Sequence, residues 1–301
     1  MALSTAQLWG GVEPVVRKFY GLERHRKKPV YKKIFKTTKG KEAVRHSMEM
    51  GGPGQLSLKT ENGAVSSLSI RQGPNKTWNY DLYAGEITLS YELARDTRIR
   101  EIETTSRSLG RATALTPENI TALFLDRAFN SSFPAVADGK ALCATDHLIV
   151  GTNASTGSNM LSGGPALSET SLEDVYTNLM SMPGPDGMIS PLMPEKLVVP
   201  AGLALTGEKL TTKGKTLGSA YNDPKVVGHD LELVANPFLG SATRWFVLTD
   251  AVNGLFVEFD GDEENFMEDN SVTTLQKIYV AFFRMRHGCD DWRHVYGSNA
   301  S

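Results

Sequence analysis

Between residues 55 and 71 the sequence specifies a hairpin that carries no core of its own. Leu56 and Leu58 alternate with polar residues, Asn62-Gly63 supplies the positive φ angles of a tight turn, and Leu68 and Ile70 alternate on the way back. A two-stranded hairpin alone is marginal in water. Its apolar face therefore needs a surface supplied from outside, and the spacing predicts an element completed by a neighbouring molecule. A second alternation follows, with Trp78, Tyr80 and Leu82 before Gly85 and Ile87, Leu89 and Tyr91 after it. Gly51-Gly52-Pro53-Gly54 lacks the Lys-Ser or Lys-Thr of a phosphate loop and reads as a flexible hinge. Residues 46–92 thus form one long β excursion.

The segment before it is basic. Residues 17–45 hold 12 Lys or Arg against Glu23 and Glu42, with Arg24, Arg26, Lys27, Lys28, Lys32 and Lys33 at the centre. Its apolar members, Trp9, Phe19, Val30, Tyr31, Ile34 and Phe35, are too sparse for a core-facing helix, so the pattern predicts an extended arm. The opposite sign gathers at residues 258–269, which carry seven acids and no base, although the whole chain is only −2. Two poles on one chain suggest pairing between chains. Lysine and arginine also neutralise phosphates without reading sequence, but aromatic anchors are of no use to a phosphate backbone. The arm is expected to lie across an adjacent subunit, with some of these six basic residues near its carboxylates.

Downstream, residues 93–130 read as a long helix that pauses near Gly110 and restarts with Thr116 as cap and Pro117 in its first turn, bringing Ile120, Leu123, Phe124 and Ala128 to one face. A glycine-rich loop at residues 151–165 follows. Ser168 then caps a helix with Leu172, Val175 and Leu179 at helical spacing, ended by Pro183-Gly184-Pro185. Residues 197–199 form a strand stopped by Pro200, residues 245–248 and 255–257 two more around a turn at Asn253-Gly254, and residues 277–285 a last strand before a polar tail. The 301 residues, 40% hydrophobic, suffice for a large core. No apolar stretch approaches the roughly 20 residues that span a bilayer, and the start does not resemble a secretory signal. Cys143 and Cys289 are the only cysteines and read as reduced.

Catalytic and metal readings are weak. His287, Cys289, Asp290, Asp291 and His294 lie close together, but at a strand end without a second ligand pair. Asp146-His147 has no Gly-x-Ser-x-Gly elbow to complete a hydrolase triad and reads as a turn with a hydrogen-bonded histidine. No catalytic, cofactor or metal residue is assigned.

Asp138-Gly139-Lys140-Ala141-Leu142 with Thr145-Asp146-His147 resembles the Mu-like family of phage major head subunits. So do Asp186-Gly187, the strand Pro194 to Pro200, Asn236-Pro237-Phe238, Trp245-Phe246-Val247-Leu248 and Asp290-Asp291-Trp292-Arg293 with Tyr296. The resemblance spans about residues 90–296. It implies an α+β chain of the Hong Kong 97-type capsid fold: an N-terminal arm at 1–45, an extended β-hairpin loop at 46–92, a peripheral domain with a long spine helix at 93–165 and 266–301, and an axial domain at 166–265. The implied work is structural. Copies assemble as hexamers and pentamers into an icosahedral shell around double-stranded DNA, with portal and scaffold proteins and a decoration protein as partners, weak non-specific DNA contact and no membrane. The place is the virion, after assembly in the host cytoplasm. The residues before the loop are too few for a scaffolding domain beside an arm, so a separate scaffold is expected and no N-terminal segment is removed. A nanocompartment shell is the alternative of like fold, and a non-specific nucleic-acid-binding protein acting through the arm is the alternative of another class.

Overall fold

The computed structural model describes residues 5–96, 99–152, 155–211, 231–271 and 273–300. The chain start at residues 1–4, the side chain of Trp9, residues 153–154 of the glycine-rich loop and residues 212–230 of the 166–265 segment lie outside the described residues. Among those described, no helix is long and apolar enough to cross a membrane.

The basic segment opens as a helix and not as an extended arm: α1 (Thr5–Arg24). Val12, Val16 and Tyr20 recur every fourth residue and are buried. A stripe one residue wide is too sparse to read as amphipathic, yet it suffices for a helix seated between a second helix and a sheet. Helix α2 (Tyr31–Ile34) and β1 (Lys36–Gly40) follow, and Tyr31, Ile34 and Phe35 enter the main core.

Next come β2 (Val44–Gly51) and β3 (Arg71–Asn79), an antiparallel ladder running from Val44↔Asn79 to Gly51↔Arg71. The predicted turn is present, with Asn62 at φ 60° and Gly63 N–H donating to Thr60 O at 3.0 Å. The predicted strands around Leu56–Leu58 and Leu68–Ile70 are not paired. The ladder stops at Gly51, where the body of the subunit ends, because a two-stranded ribbon with no third surface gains too little to stay paired.

β4 (Asp81–Ser90) runs straight through Gly85, so that Leu82, Ile87 and Leu89 of the second alternation share one strand. α3 (Tyr91–Arg95) and α4 (Ile99–Asp126) follow, and α4 is continuous through both Gly110 and Pro117. Gly110 marks a helix crossing, since a Cβ there would lie 2.5 Å from Tyr20 O of α1. Pro117 removes one N–H, but the adjoining Glu118 ties the helix down by accepting the N–H groups of Val30 (2.5 Å) and Tyr31 (3.1 Å).

A short pair, β5 (His147–Leu148) and β6 (Thr156–Gly157), precedes α5 (Glu169–Met180). Helix α5 begins at the expected cap, with Ser168 and Ser171 in a capping box and Leu172, Val175 and Leu179 buried. The rest comprises β7 (Pro194–Pro200), α6 (Ala204–Thr211), β8 (Glu232–Asn236), β9 (Trp245–Thr249), β10 (Leu255–Asp260), β11 (Asn265–Ser271), β12 (Gln276–Cys289) and β13 (Val295–Ser298).

Two sheets result. In the first, β12 is the axis, pairing β4 along one edge and β11 then β10 along the other, with β1 parallel on β10. In the second the order is β13-β9-β7-β8. The turn at Asn253-Gly254 therefore joins no hairpin, because β9 and β10 belong to different sheets. Nor is the C-terminal stretch a polar tail, since Trp292, Val295 and Tyr296 are buried. Sheet membership does not follow the expected domain limits: the first sheet takes β1 from 1–45, β4 from 46–92 and β10 from 166–265, and β13, inside 266–301, lies in the second. The main core takes Phe246 and Leu248 from one sheet and Phe259 and Phe283 from the other, so both are fused through it.

Candidate assembly surface

The β2–β3 ladder is bolted to the body by charge. Arg45 Nη2 lies 2.5 Å from Asp290 and Nη1 3.3 Å from Glu258, while its guanidinium stacks 4.0 Å from the Phe256 ring centre. Arg286, itself buried, donates to Glu258 at 3.0 Å and to the Trp78 carbonyl at 3.3 Å. Ser47 donates to Asp290 and accepts from Trp78 Nε1 at 2.8 Å. The Trp78 ring fills the place where a Cβ on Gly288 would come within 2.6 Å. Burial would raise the Glu258 carboxyl, but Arg286 and Arg45 outweigh it and hold it below the usual carboxylate range.

A second bolt sits one turn of the ladder further on. Arg293, 3% exposed, binds Glu49 at 2.6 Å, Asp291 at 3.1 Å and the Pro183 carbonyl at 2.7 Å. Burial pushes the Glu49 carboxyl up, partly offset by Arg293. At the far end Gly51 packs backbone to backbone, for a Cβ would lie 2.9 Å from Gly151 N, and a Cβ on Gly73 would strike Val150 at 2.7 Å. The glycine run expected to hinge thus begins as a close contact.

Motifs far apart in sequence converge on this mount. His147 Nδ1 hydrogen-bonds Asp138 at 2.7 Å, and its buried ring stacks on Trp292 with centres 4.5 Å apart and planes at 8°. Burial would raise Asp138, but His147 and the N–H groups of Lys140 and Leu148 together bring it below its ordinary value. Trp292 lies between Asp291 and Arg293, so the 138–147 stretch braces the segment that grips the ladder. Sequence reasoning named Asp290 to Arg293 without assigning them a structural role, gave Trp78 no role beyond its strand and singled out neither Arg45 nor Glu49. Those partners lie more than 200 residues away along the chain, and the only available signal was the mixed-sign Asp-Asp-Trp-Arg motif itself.

Beyond the mount, the assigned loop residues are bare. Leu58 is 95% exposed and Leu56 77%, with Leu68, Ile70 and Asn62 exposed as well and Gly63 half-buried at the turn. The basic residues divide. Arg24 is buried against Glu264 at 2.6 Å, Lys32 meets Glu263 at 2.5 Å, Lys33 meets Glu232 at 3.1 Å and Arg26 meets Glu23 at 3.0 Å. The two charge poles therefore pair within the chain for much of their length. Lys27 and Lys28 are exposed and have no carboxylate partner among the described residues.

The candidate zinc residues scatter. His287 packs edge-on against Phe124, Cys289 is buried with its Sγ on the Asp291 carbonyl, and no metal-holding cluster occurs among the described residues. Both cysteines are free and buried, and burial drives their thiols far above the usual range. Asp146 pairs with Lys140 and not with His147.

Solved structures share this architecture. The procapsid subunit of bacteriophage JBD30 is 12% identical, with a TM-score of 0.54 over 98% of this chain and 75% of that one. The capsid of Ralstonia phage GP4 is 13% identical with a TM-score of 0.52 over 89% and 87%, and the SrpI encapsulin of Synechococcus elongatus 8% identical with 0.52 over 91% and 88%. At such identities the likeness establishes the fold, which is α+β of the Hong Kong 97-type capsid class. No curated protein matches in sequence. The family model described as phage capsid protein matches residues 81–298, beginning at the first residue of β4 and taking in the brace, every strand of the two sheets except β1, and the segments that grip the ladder. With well over half of its length inside that match, the chain belongs to the phage capsid protein family.

Proposed function

We propose that this chain is the major head subunit of a tailed phage, assembling with copies of itself as hexamers and pentamers into an icosahedral shell around double-stranded DNA. The observation that carries the reading is a loop held rigidly at its root and bare at its tip, in a chain of the phage capsid protein family. Exposed apolar side chains on an extended tip gain stability only when another surface covers them. The inter-subunit residues of the loop are Leu56, Leu58, Asn62, Gly63, Leu68 and Ile70. Those of the basic segment are led by Lys27 and Lys28, with Arg24, Arg26, Lys32 and Lys33 setting its local shape.

The chain's work is geometric and it catalyses nothing. Portal and scaffold proteins join assembly in the host cytoplasm, a decoration protein can cover the finished virion, and packaged DNA touches the shell weakly and without sequence preference. Negative-stain microscopy of the expressed full chain tests this. Closed shells, tubes or capsomers are expected, and a monodisperse monomer at high concentration overturns the reading. Co-purifying double-stranded DNA, as against an enzyme cargo, separates a phage head from a nanocompartment.

A further inference from the structure

We infer that a cleft between the end of α1, the middle of α4 and the end of β8 is the seat for the tip of the 52–70 loop of a second copy, a proposal that rests on the shell reading above. The cleft encloses about 490 Å³, with Leu115, Pro237 and Phe238 on its apolar side and Lys27, Lys28 and Arg111 among its cations.

Its own acids are already engaged. Glu23 accepts from Arg26 at 3.0 Å and forms an ion pair with Arg107 at 3.6 Å, and Glu118 accepts from the N–H groups of Val30 and Tyr31. Lys27, Lys28 and Arg111 have no carboxylate partner among the described residues, so the cleft presents uncompensated positive charge around an apolar floor. Its complement is an apolar side chain with a carboxylate close behind.

The loop tip has that composition. Leu58 is followed three residues later by Glu61, and the turn at Asn62 holds both at the end of the excursion. Within its own subunit the tip covers nothing, so the occupied cleft belongs to another copy. Reach is sufficient, since the ten residues from Gly52 to Glu61 extend on the order of 30 Å beyond the ladder. Nucleic acid fits less well. Phosphates cannot use the Leu115 and Phe238 surface, and they would approach Glu23 and Glu118.

The test is a cysteine pair in the full chain, Glu61→Cys with Lys28→Cys, oxidised mildly after assembly. Cys143 and Cys289 are buried and do not compete. Disulfide-linked dimers and longer chains are expected in shells, and neither single-cysteine variant should give them. Lys28→Glu with Arg111→Glu is expected to lower shell yield at least tenfold, and adding Glu61→Lys should recover much of it. Leu58→Ser, at a fully exposed position, should lower yield without shifting the subunit's melting temperature. Normal shells from the charge-reversed pair together with no cross-link would overturn the seat. So would normal shell yield with reduced DNA retention, which would assign the cleft to nucleic acid. A wild-type chain that forms no particles would remove the shell reading itself, and the seat with it.

Discussion

Residues 44–51 and 71–79 commit Arg45, Ser47, Glu49, Lys76 and Trp78 to the body of the subunit, whereas residues 52–70, continuing the same hairpin, expose Leu56, Leu58, Val65 and Ile70. The ladder's interactions are charge-assisted and partly buried, where each hydrogen bond contributes most. The tip, by contrast, shows one backbone hydrogen bond of its own among the described residues, at the turn. A subunit that must fit several slightly different neighbours needs its loop aimed precisely and shaped loosely, and this division supplies both. It also makes folding and assembly separable by mutation.

The largest expected effect falls on assembly alone. Deleting residues 55–70 and closing the gap with a short turn should abolish closed shells while circular dichroism and the melting temperature stay within a few degrees of wild type. Unfolding on deletion would place the tip in the core and erase the contrast. On the mount the expectation inverts. Trp292→Ala removes the ring that stacks on His147 and should destabilise the subunit by about 3–5 kcal/mol, as other large-to-small core changes do. A shift in the denaturant midpoint measures it, and a loss under about 1 kcal/mol would mean that the brace does not hold the ladder.

Arg293→Met should rank next, at about 3 kcal/mol, because it leaves Glu49 and Asp291 facing each other without their shared cation. The pH dependence of the other bolt has a definite sign. Glu258 is held below its ordinary 4.5 in the folded chain, so it contributes stability above that value and loses it as pH falls through the depressed one. Wild type should therefore lose stability more steeply than Glu258→Gln below about pH 4. Parallel curves in acid titrations of the two proteins would show that the pair carries no pH-dependent stability.

The contrast between mount and tip also explains what could be read without coordinates. Local signals worked where the cause was local. Ser168 capped its helix, Pro200 ended its strand and Asn62-Gly63 turned. The helix at Thr5–Arg24 escaped because, among the described residues, its buried apolar side chains are Val12, Val16 and Tyr20, and a period of four in a basic segment looks like noise until α4 and the first sheet are there to receive it. Gly110 looked like a break for a similar reason. It does not terminate its helix, and the missing side chain lets a second helix approach. The mount was invisible as a unit because its pairs join residues 45–49 to residues 258–293, and no periodicity links segments so far apart.

The smallest effect sharpens the same division inside the basic segment. Lys33 and Glu232 form an ion pair at 3.1 Å with about half of each side chain exposed. Such a pair is worth about 0–1 kcal/mol, and salt screens it. Lys33→Ala should therefore leave both the denaturant midpoint and the shell yield near wild type, even at low ionic strength. Lys28→Ala removes the same charge five residues away, from a side chain with no described carboxylate partner, and should leave stability equally untouched while lowering yield. Sedimentation of assembly reactions run side by side decides between them. If Lys33→Ala lowers yield as much as Lys28→Ala, pairing within the subunit does not withdraw a basic residue from assembly, and the whole segment acts between subunits as one charged surface.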